Sequence, residues 1–319
     1  MGPLVGLLAG IALTLVASAL FTEAAERVGE VAGLERSFMG SVIAPLFTSS
    51  PELAVLLVST FAYGGEAGVE VGSGTVLGEP FAVSTLGIPL LTLSALLGSA
   101  MGRRRPAVEF DRGLELPCAT TLAVYPLVAL PAFVSELRIP VAASLVLAYV
   151  AYAMAMYGRR AASPAERAPA GNRGMVGPAM KLAASVPLLL VGSYLMVGSA
   201  SKLSADLGMS TLSLSILIVP LATALPEIAA SLIWAYRGSD TLALGALVGE
   251  MVMMSTIFPA LGMALTDWRL NAAAIASVAM TELASALTLL QARSGRLSPL
   301  TASAAVLYFA YVAIARALA

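Results

Sequence analysis

The chain has 319 residues, of which 59% are hydrophobic and 12% charged, with a formal net charge of −1. Soluble domains carry roughly a quarter charged residues. This composition, with a mean hydropathy of +0.89, excludes an ordinary soluble domain, gives no footing for nucleic acid, and implies a polytopic membrane protein. The single cysteine, Cys118, excludes an intrachain disulfide and a cysteine metal cluster, and the absence of histidine excludes imidazole metal sites, His-based triads and His proton relays.

A membrane span needs about 20 apolar residues. Ten such segments are predicted in chain order, at 3–22, 37–62, 71–100, 114–135, 139–157, 179–200, 211–236, 241–265, 270–291 and 298–317. The first has no basic residue before it and no clear cleavage pattern, so it reads as a span rather than a signal peptide. The connectors are short and rich in Gly, Pro and charge. The Ala/Pro/Arg-rich stretch at 158–178 reads as a linker dividing five spans, residues 1–157, from five more, residues 179–319.

Lys and Arg in the loops set orientation. The connectors after spans 1, 3, 5, 7 and 9 hold 14 of them: Arg27, Arg36, Arg103, Arg104, Arg105, Arg112, Arg159, Arg160, Arg167, Arg173, Lys181, Arg237, Arg293 and Arg296. The opposite side holds 4: Arg138, Lys202, Arg269 and Arg316. The bias predicts a multi-pass cell-membrane protein with both termini outside and the linker in the cytoplasm. An odd number of spans per half then gives the halves opposite orientations.

A repeat agrees with that topology. Thr48-Ser49-Ser50-Pro51-Glu52 matches Thr223-Ala224-Leu225-Pro226-Glu227, and Pro45 matches Pro220. Downstream, Gly74, Gly78 and Glu79 match Gly245, Gly249 and Glu250. Two motifs in the same order, at 37–83 and 212–254 in halves of opposite topology, form the inverted-repeat signature of secondary transporters. The predicted fold is therefore all-α and polytopic: ten transmembrane helices as two inverted five-helix repeats.

Five acids fall inside predicted spans: Glu52, Glu79, Glu227, Glu250 and Glu282. A charge at the bilayer centre costs several kcal/mol, and no Arg or Lys sits comparably deep. Protonation, or a cation that is not part of the chain, remains. Glu282 has no repeat partner and reads equally well as an interhelical hydrogen-bonding group. In a continuous helix Thr48 and Glu52, like Thr223 and Glu227, would share a face. Pro51 and Pro226 lack an N–H and disturb the turn before them, and Pro45 and Pro220 are expected to add a second break. Carboxylates, hydroxyls and freed carbonyls are hard ligands of the kind Ca²⁺ prefers, whereas Mg²⁺ asks for stricter octahedral geometry. The glycines allow close backbone approach, by which Glu79 and Glu250 could reach the broken helices; ordinary small-residue packing explains them too. Glu66 and Glu70 read as an outer, solvated loop.

At these residues the chain resembles the Ca²⁺/cation antiporter superfamily, which includes the Na⁺/Ca²⁺ exchangers. Its two inverted repeats carry a Thr-Ser-x-Pro-Glu type core followed by a Gly-x-x-Gly-Ser-Asn type segment. The resemblance implies that Glu52 and Glu227 are central Ca²⁺ ligands and that Thr48, Ser49 and Thr223 add hydroxyl or backbone oxygens. It also implies alternating access, with spans 1 and 6 sliding past the other eight. Departures follow the cores: Gly78-Glu79-Pro80 and Gly249-Glu250-Met251 replace Gly-Ser-Asn, and Val83 and Met254 stand where a further Asn or Asp is usual. Glu79 and Glu250 thus join the expected metal site. The expected function is a non-enzymatic antiporter, needing no cofactor and sufficient as a monomer in the bilayer. It would exchange a divalent cation, most simply Ca²⁺, for Na⁺ or H⁺. An Mg²⁺ or Mn²⁺ exchanger of the same fold and a passive cation channel stand as alternatives.

Overall fold

The computed structural model describes residues 2–31, 48–105, 107–160 and 176–318. Residues 37–47 of the second predicted span, with Pro45, and residues 161–175 of the predicted linker lie outside the described residues. Thirteen α-helices are described: α1 (Pro3–Val31), α2 (Ser50–Leu57), α3 (Gly65–Ala82), α4 (Ile88–Ala100), α5 (Glu115–Val124), α6 (Arg138–Arg160), α7 (Val176–Leu207), α8 (Thr211–Thr223), α9 (Leu225–Arg237), α10 (Asp240–Met254), α11 (Ile257–Leu265), α12 (Ala272–Ala292) and α13 (Ala305–Ala317). Wider π-type turns at Val58–Tyr63 and Val83–Gly87 extend α2 and join α3 to α4, and a 3₁₀ segment, Tyr125–Ala132, extends α5.

Eight of the described helical segments are long and apolar enough to cross a membrane, and a ninth is the α8–α9 pair, bent by 55°. Ser50–Tyr63 is a shorter apolar helix. All ten predicted segments thus contain helix, though α6 and α7 run further into the predicted linker than expected. Leu8, Leu147, Leu283 and Phe309 are mostly exposed on the flanks. A hydrocarbon solvent matches such a surface, and closed helices leave no backbone group for lipid to satisfy.

α1 and α7 pack along each other. Small residues bring their backbones together: a Cβ at Gly10 would meet the backbone of Met196 and Gly192 at under 3 Å. The main core gathers Phe81, Tyr125, Trp268 and Tyr311, all fully buried, with Phe81 stacked on Tyr308 at 5.4 Å.

At one end of the bundle three Arg-bearing connectors meet. Val108–Glu109 and Arg296–Leu297 pair as a two-stranded antiparallel sheet, β1 and β2. Arg296 pairs with Glu109 at 3.0 Å. Arg104 forms a buried ion pair with Asp240 at the start of α10. The connectors after predicted spans 3, 7 and 9 therefore share one end, as the charge pattern requires.

Candidate cation site

Two helix breaks organise the centre. Ser49 (φ −80°, ψ 16°) precedes α2, and Ala224 (φ −81°, ψ 1°) separates α8 from α9. The matched positions adopt nearly the same backbone, and in each case the next residue starts a new helix. Pro51 and Pro226 sit in the first turns, where a missing N–H is no loss and the fixed φ suits a helix start. The breaks are closed alike. The Leu53 N–H donates to the Ser49 carbonyl at 3.1 Å and the Ile228 N–H to the Ala224 carbonyl at 3.0 Å.

Glu52 and Glu227 fall in the same first turns. There the free N–H groups and the positive end of the helix dipole favour a carboxylate. The expectation of one continuous helical face is corrected: Thr48 and Thr223 lie before the break and their glutamates after it. The Thr223 hydroxyl donates to the Val219 carbonyl at 3.3 Å. It also lies within hydrogen-bonding reach of Glu52. The Thr223 hydroxyl of one half thus lies beside the carboxylate of the other, with its own proton engaged by Val219.

Pro220 does not make a second break. It lies inside α8, which continues to Thr223. Proline at 220 leaves the Ile216 carbonyl without its helical donor, and that carbonyl faces Gly78, where a Cβ would overlap both it and the Pro220 ring. Close approach of α3 to α8 is therefore built on a glycine against a proline-freed carbonyl. It carries Glu79, the next residue, to the α8–α9 break.

Glu52 and Glu79 are 1% exposed and Glu250 is 7% exposed. The four carboxyl groups act on one another electrostatically: Glu79 feels Glu52, Glu227 and Glu250, and Glu52 feels Glu227. Glu79 and Glu250 face each other carboxyl to carboxyl, without a hydrogen bond of regular geometry. Among the described residues no ion pair reaches any of the four. Both oxygens of Glu79 and one each of Glu52 and Glu227 are buried without a partner. Among the described residues no three acidic groups converge closely enough to chelate one ion as they stand, so the four form an acidic centre rather than a tight cage.

Glu227, Glu250, Thr48, Gly245 and Gly249 border a cavity of about 960 Å³ between α1, α6, α9 and α10. The chain from 32 to 47, which joins α1 to Thr48 on that border, lies outside the described residues. Ser49 is fully buried at the first break. Sequence reading did not single out Ser231, one turn beyond Glu227 on α9, whose buried hydroxyl has no partner. Its i, i+4 spacing from Glu227 was the available signal. Glu66 and Glu70 are not in a loop. They occupy the first turns of α3, and Glu70 is half-buried within reach of the Leu212 backbone and the Thr211 hydroxyl at the start of α8.

The family described as sodium/calcium exchanger protein matches residues 2–158 and 179–317, which is nearly the whole chain. The chain belongs to this family. Its members are transporters rather than enzymes. CaxA of Alkalimonas amylolytica, provisionally named an antiporter, is 35% identical over 118 residues, which cover 36% of this chain and 37% of that protein. The match thus spans little over a third of the relative. Among solved structures, the H⁺/Ca²⁺ exchanger CAX superposes with a TM-score of 0.70 at 16% identity, over 98% of this chain and 81% of that one. The sodium-calcium exchanger NCX_Mj superposes with a TM-score of 0.58 at 20% identity, over 98% of both chains. At these identities the likeness shows the exchanger fold, and the family places this chain among ion-transporting multi-pass membrane proteins.

Proposed function

We propose that the protein is a secondary antiporter that exchanges Ca²⁺ for H⁺ or Na⁺ by alternating access at the four-glutamate centre. The observation that carries this reading is the set of buried, partnerless carboxyl oxygens on Glu52, Glu79 and Glu227, beside Glu250, with no described basic group in reach. Oxygen ligands of this kind suit a hard divalent cation, with Thr48, Ser49 and Thr223 adding oxygens.

The mechanism is competition. Four carboxylates around one divalent ion leave a formal charge of −2, which a low-dielectric site must offset. Protons or monovalent cations retained on some of the carboxylates would do so, while those displaced from the carboxylates that take the divalent ion would leave as it binds. A site loaded with either set can be buried, whereas an empty, fully charged one resists closing. That H⁺ and Na⁺ are the counter-ions of the structurally similar CAX and NCX_Mj supports either choice.

The wider architecture belongs to the same reading: ten spans as two inverted halves, residues 1–157 and 179–319, joined by a cytoplasmic connector at 158–178, with both termini outside. The mutual packing of α1 and α7, the first and sixth predicted spans, is what a pair that slides as one body requires. An Mg²⁺ or Mn²⁺ exchanger would use the same donors.

The test is uptake of radiolabelled Ca²⁺ into proteoliposomes under separate outward H⁺ and Na⁺ gradients, with Mg²⁺ and Mn²⁺ as competitors. Gradient-driven uptake is expected. Uptake that ignores both gradients points to a passive channel, and strong inhibition by Mg²⁺ or Mn²⁺ moves the substrate assignment.

A further inference from the structure

A second polar site lies in the seam between α5 and α12. The two helices run antiparallel: Glu115 at the start of α5 pairs with Arg293 just after α12 at 3.3 Å, and Tyr125, at the far end of α5, lies within reach of Thr281 near the middle of α12. Thr121 on α5 and Tyr125, the first residue of its 3₁₀ extension, are one turn apart, and Glu282 and Ser285 are one turn apart on α12, so each pair shares a face. The seam therefore has two polar layers.

In the first layer Thr121 and Ser285 are 2% and 4% exposed, and both hydroxyls lack a partner. They line a cavity of about 10 Å³ together with Cys118, Thr288 and Met251. Space on the order of 10–15 Å³ is the least that admits one water, which then needs two or more polar partners such as these hydroxyls. In the second layer Glu282 has one buried, partnerless oxygen and acts electrostatically on Tyr125. The fully buried Tyr125 hydroxyl donates to the Leu77 carbonyl at 2.9 Å, two residues before Glu79. Three partnerless oxygens and a water-sized cavity thus share one seam, where each buried donor or acceptor left unmatched costs about 1–3 kcal/mol.

We propose that this seam is a proton-binding site distinct from the four-glutamate centre, in which Glu282 carries the exchangeable proton and a water between Thr121 and Ser285 relays it. The water takes a proton from bulk hydronium as it passes one of its own to the Glu282 carboxylate, so the water itself is unchanged, and release runs the same transfer in reverse. The elements packed against α12 carry Glu66, Glu70 and Glu79 (α3), Glu115 and Cys118 (α5), Tyr125, Arg296 (β2), and Tyr308, Tyr311 and Arg316 (α13), and among the described residues no ion pair reaches Glu282. The site does not depend on which cation the protein moves.

Infrared difference spectra of the full protein in lipid, between acidic and alkaline buffer, test it without any transport. The Glu282→Gln variant is expected to lose one carboxyl band from the wild-type difference spectrum, with helix content by circular dichroism unchanged. The Thr121→Val, Ser285→Ala double variant is expected to keep that band but slow its hydrogen–deuterium exchange several-fold. Should Glu282→Gln fail to fold, Glu282→Asp is expected to displace the band. A difference spectrum unaltered by the Glu282 variant, or band exchange unaltered in the double variant, overturns the proposal.

Discussion

Arg104 grips Asp240 with both terminal nitrogens, and the pair is almost sealed from solvent, at 5% and 6% exposed. The guanidinium also donates to the carbonyls of Ala235, Arg105 and Ala107, while Asp240 accepts from the Glu109 N–H at 2.8 Å. One ion pair thus ties the α4 connector to the α9–α10 turn and to β1. Removing one partner leaves the other charge buried and unpaired, which costs about 3–5 kcal/mol. Arg104→Met and Asp240→Asn are each expected to lower the thermal midpoint in detergent markedly, with the double variant less than additive. Unchanged midpoints in both singles would show that solvent reaches the pair freely.

Glu52 and Glu227 open their half-helices at matched positions, and the charge of Glu227 acts on Glu52 within the centre. Glu52→Gln and Glu227→Gln preserve shape and remove one negative charge each. Each is expected to abolish Ca²⁺ exchange in proteoliposomes while leaving the size-exclusion profile and helix content as in the parent. Transport at the parent rate in both variants sinks the assignment of these residues.

Glu79 and Glu250 carry the excess charge. With Glu79→Ser and Glu250→Ser together, two carboxylates remain to balance one divalent ion. The double variant is expected to bind Ca²⁺ with fewer protons or Na⁺ displaced. Counter-ion flux measured against Ca²⁺ flux decides it: a coupling ratio equal to the parent's places these two residues outside the exchange cycle. Selectivity is expected to change as well, since the remaining hydroxyls are neutral ligands.

The breaks at Ser49 and Ala224 were legible because a proline beside a glutamate inside an apolar run has few other uses. The meeting of Thr223 with Glu52 was not, because it joins residues from different halves, and sequence spacing describes neighbours within one helix only. Pro220 misled for a related reason. Loss of its N–H frees a carbonyl, but whether the helix then breaks depends on what that carbonyl meets, here Gly78 on α3. The β1–β2 pair was invisible, since two residues per strand leave no alternating pattern. Glu66 and Glu70 looked like loop residues by charge alone, yet their i, i+4 spacing suits the helix they occupy.

Gly78 makes the α3–α8 approach testable. An added side chain would overlap the Ile216 carbonyl and the Pro220 ring, backbone and a rigid ring that cannot swing away. Overpacking of this kind costs about 1–3 kcal/mol. Gly78→Val is expected to lower the thermal midpoint and, by pushing α3 outward, to weaken transport. Gly87→Ala is the control, because its Cβ would meet the Ile228 side chain at an ordinary 3.4 Å. Equal midpoints for the two variants would mean that α3 and α8 separate at no cost.

Ligand binding ties the carboxylate centre to stability directly. A cation that binds the folded chain alone stabilises it by RT ln(1 + [L]/Kd), about 2.7 kcal/mol at a hundredfold excess over Kd. Four mutually repelling carboxyl groups make the gain larger for a divalent ion than for a monovalent one at equal occupancy, since more repulsion is relieved per ion bound. Ca²⁺ is therefore expected to raise the thermal midpoint of the parent above its value in chelator, in a concentration-dependent way. The same addition should leave Glu52→Gln and Glu227→Gln little changed, and raising Na⁺ or lowering pH should reduce the Ca²⁺ effect by competition. A Ca²⁺ shift that persists undiminished in the two glutamine variants places the stabilising ion elsewhere on the protein and removes the centre's claim to it.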